Sequence, residues 1–412
     1  MEAMVERACG LDVHQRTVVA CVLVGAAGAR ASKEVRTFGT TVRELELLRE
    51  WLSERGVTHV GMESTGVYWK PVYAVLEGSF ELIVGNAHHI SRVPGRKTDV
   101  RDAEWIADLV RHGLVAKSFV PPKDIRELRE LTRFRHALVR TRADERNRLL
   151  KLLETANIKL SSVATNVFGK SGMAMLRAIA RGEQSPEVLA SLARGLLRKK
   201  HGALQEALHG RIGEHHRLLL NVQIGRLDAL ESDVKVLDDA IAQRMAPYAS
   251  QQRALEEIPG IGAVSARAIV AEIGADMSAF PDEHHLAAWI GICPGNHESA
   301  GKRMAGTSRK GNALLRGMLV EAALAGVRTK GSYFRAKYFR LKSRCGAKRA
   351  IVAVAHKIAI AIYRLLADGT VYRDLGEGYL DALHKTRTTK HLVRRLETLG
   401  FHVQLQPTSA GA

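Results

Sequence analysis

Residues 7–24, RACGLDVHQRTVVACVLV, alternate polar and apolar positions and then run apolar, which predicts a β-hairpin with Asp12 on its first strand. Acids are depleted in strand interiors, so Asp12 within CGLDV either serves a ligand or marks a strand end facing water. Working outward, residues 33–38 read as a third strand, and Thr41 reads as the cap of an amphipathic helix through Leu45, Leu48 and Leu52. Residues 57–62 return as a strand ending at Glu63, with Gly66 as the turn. A short helix ending near Leu76, with Pro71 suited to its first turn, leads to a fifth strand over 80–84 and a loop at His88-His89.

The last element of this series is 95–112, GRKTDVRDAEWIADLVRH. Capped by Thr98 and burying Ile106, Leu109 and Val110, it would carry Asp99 and Asp102 on one face, three residues apart. Two acids one turn apart can seat a metal ion, although acids in a first turn also answer the helix dipole. Arg92, Arg96 and Lys97 just upstream could hold a phosphate backbone. The order β-β-β-α-β-α-β-α is that of ribonuclease-H-like folds, where acids from the first strand, the fourth strand and a late helix meet at divalent metal. Here those places hold Asp12, Glu63, Asp99 and Asp102. Hard oxygen ligands suit Mg²⁺ or Mn²⁺, which stabilise the attacking and leaving oxygens of a phosphoryl transfer. Read bluntly, Glu63 is a turn acid. His14, His88 and His89 fit phosphate contacts or loop residues better than ligands.

At 412 residues with 46% hydrophobic content, the chain can build two or three domains. Lys and Arg number 62 against 43 Asp and Glu, a formal charge of +19, which points first to nucleic acid and second to a membrane surface. No apolar run is read as approaching the ~20 residues that span a bilayer, and no secretory signal opens the chain, so a cytoplasmic protein with no membrane partner is expected. Cys9, Cys21, Cys293 and Cys345 lack paired spacing and read as reduced thiols.

After Pro121-Pro122 the sequence turns helical and basic: nine Arg or Lys lie between Arg126 and Lys151, around Leu128, Leu131, Leu138, Leu149 and Leu152. This is a solvated helix or, as the clustering favours, one facing nucleic acid. Residues 157–210 read as short helices without chemistry. A second long helix, about 214–245, places Leu220, Leu227, Val234 and Ile241 seven apart, with Leu230 and Leu237 in the second seam, and predicts a coiled coil. That seam could pair within the chain or between chains. Beyond it, the stretch from Ile258 through Pro259 to Gly262 resembles a helix-hairpin-helix unit, whose backbone amides meet DNA phosphates. The Gly-rich stretch 291–316, GICPGNHESAGKRMAGTSRKGNALLR, holds Ser299 and Ser308. From Lys302 to Arg349 there are 14 Lys or Arg and only Glu321 as an acid, interleaved with Tyr333, Phe334, Tyr338 and Phe339, an electrostatic footprint for a nucleic-acid backbone. A structural apolar helix over 347–366 and a disordered tail after Pro407 complete the reading.

Taken together, GLDVHQRT (10–17), MESTGVYWKPV (62–72), GRKTDVRDA (95–103), PGIG (259–262) and HESAGKRMAGTSRKGNALLR (297–316) resemble the DEDD transposases of the insertion-sequence one-ten family, related to the Piv DNA invertases. The resemblance covers nearly the whole chain. It implies an α/β plus α architecture: a RuvC-like nuclease domain over 1–118, a helical and coiled-coil region over 119–250 with an insertion near 157–210, a transposase domain over 251–375 and a tail over 376–412. It also implies a serine that attacks DNA to form a phosphoserine link, completing the metal site of another subunit, and a non-coding RNA that pairs with donor and target DNA. Carried over by motif, the acids are Asp12, Glu63, Asp99 and Asp102 and the serine is Ser299. The partners are then double-stranded DNA, a structured guide RNA and further copies of the chain, as a homodimer or tetramer through the coiled coil. Nucleic acid would meet Arg96, Lys97, Gly260, Gly262, Lys302, Arg303, Ser308, Arg309, Lys310 and Arg316. Ser308 precedes a helix and suits a capping or phosphate-touching role, whereas Ser299 is flanked by Ala300-Gly301, which would let a backbone come close. His297 and Glu298 are adjacent, but their spacing guarantees no base for Ser299. Two other readings stand beside this one: a junction-resolving nuclease using the acids and water alone, and an architectural nucleic-acid-binding protein whose acids are structural.

Overall fold

The computed structural model describes residues 3–26, 28–90, 102–293, 298–299, 302–303, 310–383 and 385–406, which divide into two compact units, Met1–Val120 and Pro121–Ala412. In the first unit β1 (Arg7–Val13), β2 (Thr17–Val24) and β3 (Ser32–Gly39) form an antiparallel meander. Then come α1 (Val42–Glu54), β4 (His59–Glu63), α2 (Trp69–Leu76), β5 (Glu81–Gly85), α3 (Ala87–Ile90) and α4 (Asp102–Arg111). The sheet order is β3-β2-β1-β4-β5, with β4 parallel to both β1 and β5. Thr41 caps α1, its hydroxyl accepting from the Glu44 amide. The stretch around His88-His89, expected as a loop, is a single helical turn in which the Ile90 amide reaches the Asn86 carbonyl at 3.0 Å.

Strand pleating sorts this sheet into two faces. Cys9, Leu11, Val18, Ala20, Val22, Val60 and Met62 face a core with Leu45, Leu48, Trp51 and Leu52 of α1. The alternate positions, Ala8 of β1 and Cys21 and Leu23 of β2, pack on the other face against α4, through Ala103, Ile106, Ala107 and Val110. Burying each large apolar side chain contributes about 1.5–3 kcal/mol, so one face holds α1 and the other holds α4.

The second unit is helical. It opens with α5 (Lys123–Thr155), α6 (Leu160–Val163), α7 (Lys170–Ala180), α8 (Pro186–Ser191), α9 (His201–Leu208) and α10 (Glu214–Arg244). The expected seam of α10 is filled inside the chain. Leu220, Leu227, Val234 and Ile241 are buried, and α5 runs antiparallel alongside with Arg146 on Glu231, Arg135 on Asp238 and Glu127 on Arg244. Of the two pairings that the heptads allowed, the first seam makes the one within the chain. Residues 157–210 build a core with the ends of α5 and α10, including Met175, Leu176, Ile179, Leu189 and Leu204 against Leu149, Leu153, Leu220 and Leu227.

Then follow α11 (Ala249–Glu256), α12 (Ala263–Ile273), α13 (Glu283–Ile290), the two-residue strands β6 (Glu298–Ser299) and β7 (Lys302–Arg303), α14 (Ala313–Gly326), α15 (Tyr333–Cys345), α16 (Ala347–Asp368), α17 (Tyr379–Leu383) and α18 (Lys385–Thr398). By length and composition α16 could cross a membrane, contrary to the reading that no run comes near that length. Its apolar stripe, Ala350, Val354, Ile358 and Ile362, is buried in this unit, where α16 packs against α13, α14 and α15. The tail beyond residue 406 lies outside the described residues.

Candidate active site

Asp12 is the penultimate residue of β1 and Glu63 the last of β4. The parallel register pairs Gly10 with Gly61 and Leu11 with Met62, so Asp12 and Glu63 fall at neighbouring positions of adjacent strands, which run about 4.8 Å apart. Pleating puts both acids on the face of Gly10 and Gly61, where α4 lies. That helix comes so close that a Cβ on Gly10 would overlap the backbone of Ala103 and Ala107, and one on Gly61 would overlap Val110. Direction follows from the other end: the amides of Met4 and Val5 donate to the Arg111 carbonyl at 2.9 and 3.1 Å, anchoring the C-terminus of α4 beside the start of β1. Its N-terminus, Asp102, accordingly lies toward the strand ends that carry Asp12 and Glu63. Asp102 Oδ1 is sealed from solvent.

The contacts of the strand acids are weak and local. His14 Nε2 lies 3.0 Å from Asp12 Oδ2, and the Thr65 hydroxyl donates to Glu63 Oε2 at 3.3 Å. His14 lies in the loop between β1 and β2, one of the two places expected for it, and from there it touches Asp12. Asp12, Glu63 and Asp102 offer the carboxylate oxygens that a hard divalent cation takes. Among the described residues no group of three or more His, Cys, Asp or Glu is drawn together tightly enough to hold an ion. Asp99, Arg96 and Lys97 lie outside the described residues.

In the second unit, β6 and β7 pair antiparallel with Ser299 opposite Lys302 and Glu298 opposite Arg303; Ala300 and Gly301 lie outside the described residues. Ser308 and Arg309 lie outside the described residues. The capping role considered for Ser308 belongs to Asn312, whose side chain accepts from the Leu315 amide at 3.1 Å. Lys310 is exposed before α14 and Arg316 half-buried within it. Gly260 turns toward the protein: a Cβ there would overlap the Ala322 carbonyl of α14. Gly262 is exposed at the start of α12 with open space around it.

The basic helix α5 spends part of its charge inside the protein: Arg129 and Arg133 meet Glu272, Arg135 meets Asp238 and Arg146 meets Glu231, so four of the nine basic residues between 126 and 151 bind helices together, while Arg148 meets Glu145 within α5. Sequence clustering could not distinguish these uses, because the balancing acids lie up to 143 positions away in the chain. On α15, by contrast, Arg340 meets Asp381, while Arg335, Lys337, Lys342 and Arg344 make no ion pair among the described residues. Arg335 lies over the half-exposed Phe339 ring at 5.1 Å, and Lys342 lies 5.9 Å from the same ring. Burial pushes the Lys337 ammonium below its ordinary value. This face is the exposed part of the expected electrostatic footprint.

Sequence reasoning passed over Glu272, an acid in the apolar run AIVAEI of α12. It is fully buried, with Arg133 Nε and Nη2 donating to its two carboxylate oxygens at 2.7 and 2.8 Å and Asn312 Nδ2 donating at 2.6 Å. The hydrogen bond to Glu272 raises Arg133, whereas burial brings Arg129 down to about 10, still charged at neutral pH. The available signal was the one that singled out Asp12, an acid among apolar neighbours.

A mixed five-stranded sheet followed by a helical unit agrees with the ribonuclease-H-like first domain and helical remainder of a DEDD transposase. A transposase model of that class matches residues 9–158, and a model described as "Transposase IS116/IS110/IS902 family" matches residues 252–339. Together they span more than half of the chain, which belongs to the IS110 family of transposases and is an enzyme. The "Transposase for insertion sequence element IS1111A" of Coxiella burnetii is 27% identical over 71% of this chain and 72% of its own length. The "Probable family 20 transposase" of Pseudomonas aeruginosa is 29% identical over 68% and 75%. A chain of Sinorhizobium fredii, also named as a transposase, is 26% identical over 84% and 85%.

Proposed function

We propose that this transposase cuts and rejoins DNA strands by phosphoryl transfer, with Asp12, Glu63, Asp99 and Asp102 holding Mg²⁺ or Mn²⁺ and Ser299 as the nucleophile. The observation that carries the reading is the gathering of Asp12, Glu63 and Asp102 on one sheet face at one end of β1 and β4. A divalent ion there would supply charge stabilisation at the phosphate oxygens. The serine hydroxyl gives up its proton as its oxygen bonds to phosphorus and the phosphorus–sugar oxygen bond breaks; the released sugar oxygen takes a proton. Attack by a sugar hydroxyl of the receiving strand then reverses these bond changes and frees Ser299. Lys302, opposite Ser299, and Arg303 neutralise phosphate charge, and Ala300-Gly301 leave the strand room.

The unpaired cations of α15 and its aromatic neighbours support backbone binding of a structured guide RNA as well as DNA. With sequence read by base pairing, the protein reads backbone shape, and log affinity falls linearly with log salt. A flat salt profile counts against this part. The test of the chemistry is the covalent adduct: Ser299→Ala should abolish it, whereas Ser308→Ala should slow the reaction and leave adduct. A modified peptide carrying Ser308 would overturn the assignment. A junction nuclease using water alone would leave no adduct in the wild-type chain.

A further inference from the structure

The serine-bearing stretch leaves α13 and enters α14 at one point. The Asn312 amide donates to the Trp289 carbonyl at 3.2 Å, and a Cβ on Gly311 would lie 2.5 Å from the Gly291 nitrogen, so residues 291 and 311 meet backbone to backbone. The Asn312 side chain then does two things. Its Oδ1 accepts from the Leu315 amide, starting α14, and its Nδ2 donates to the fully buried Glu272 at 2.6 Å. Glu272 is held in turn by Arg133 through both oxygens, while Arg129 donates to the backbone carbonyls of Ala271 and Glu272 at 3.1 and 2.5 Å. One carboxylate thus ties α5, α12 and the base of the segment that carries Ser299.

We infer that Glu272 and Asn312 are positioning residues for Ser299: they clamp the base of its segment so that the hydroxyl meets the phosphate in a fixed place. The inference rests on the serine reading proposed above. A helix cap alone needs only an acceptor, which Asp or Ser would provide as well as Asn. The clamp needs a donor facing a carboxylate as well, which the Asn amide supplies and an ionised Asp cannot. Small misplacements of a reacting group cost about 10²-fold in rate, so the clamp acts on the chemical step more than on binding.

The test uses the full-length chain with its copurifying RNA and an end-labelled duplex made from the DNA flanking its coding sequence, reading the rate of phosphoserine adduct formation. Asn312→Asp keeps the cap but sets two carboxylates against each other; the adduct should form about 10²-fold more slowly, with duplex binding and helical content unchanged. The double variant Glu272→Gln, Asn312→Asp restores one amide facing one carboxylate and should recover most of the lost rate. Wild-type rates in Asn312→Asp, or a double variant no faster than that single one, overturn the clamp while leaving the serine reading intact. A wild-type chain that yields no phosphoserine overturns the serine reading and the clamp with it.

Discussion

Asp12 and Glu272 are both acids set among apolar neighbours, and they end in opposite states. Glu272 is sealed from solvent, gripped by a two-pronged arginine and an amide. Asp12 keeps 29% of its side chain exposed and touches His14, which is itself largely exposed. A buried carboxylate is tolerated only with matched donors, because the cost of losing water is otherwise uncompensated. An acid left open at a strand end, without an arginine, remains able to take a ligand. The difference separates an acid that holds the protein together from one that, on the proposed reading, serves its reaction.

The sharpest way to break that comparison is to neutralise both kinds of acid. Asp12→Asn and Glu63→Gln should lower strand cleavage by at least about 10³-fold, the equivalent of several kcal/mol of transition-state stabilisation, with DNA binding and the unfolding midpoint nearly unchanged. Cleavage assays on the two variants decide it, and retained cleavage in Asp12→Asn would sink the metal reading. Removing Mg²⁺ and Mn²⁺ with a chelator should reproduce the loss in the wild-type chain.

Glu272→Ala should do the reverse and cost stability first. Losing the carboxylate removes about 3 kcal/mol, the low end for a broken buried pair, because Arg133 is half-exposed and Arg129 keeps its bonds to the Ala271 and Glu272 carbonyls. Denaturant unfolding of the second unit measures this, and an unchanged midpoint would show that the buried cluster is not structural.

Gly10→Ala probes how α4 is seated. The new methyl would overlap the backbone of Ala103 and Ala107, forcing the helix to shift, at about 1–3 kcal/mol. The shift should displace Asp102 and reduce cleavage further than the stability loss explains; cleavage measured well below the unfolding transition separates the two effects, and full activity there would mean that Asp102 need not sit where α4 puts it. The smallest effect is expected at Arg146→Ala. Arg146 and Glu231 are 33% and 52% exposed, and such pairs contribute about 0–1 kcal/mol. A loss as large as that of Glu272→Ala would contradict the distinction between buried and surface pairs.

Much of the first unit was legible in the sequence because its signals are local. Alternation in RACGLDV, the Thr41 cap and the period of Ile106, Leu109 and Val110 each depend on residues within a few positions, and the element order follows from them. The use of α10 was half legible: its heptads show that a seam exists, but α5 fills it from some 90 positions away, and period alone cannot name the partner. Residues 157–210 were legible only as short helices, since the core that they make with α5 and α10 is not a local feature of the chain.

The sequence by itself determined which residues could do chemistry, the excess of positive charge and the order of the elements. Only the tertiary structure decided which face Asp12 and Glu63 share, because that depends on strand register and on α4 crossing over Gly10 and Gly61. Only it decided that four arginines of α5 grip acids of other helices while the cations of α15 stay open, and that Glu272 reaches Asn312 across 40 positions. Charge and periodicity are properties of short stretches, whereas the worth of a charge is set by its distance to other charges and to water, which chain order does not specify.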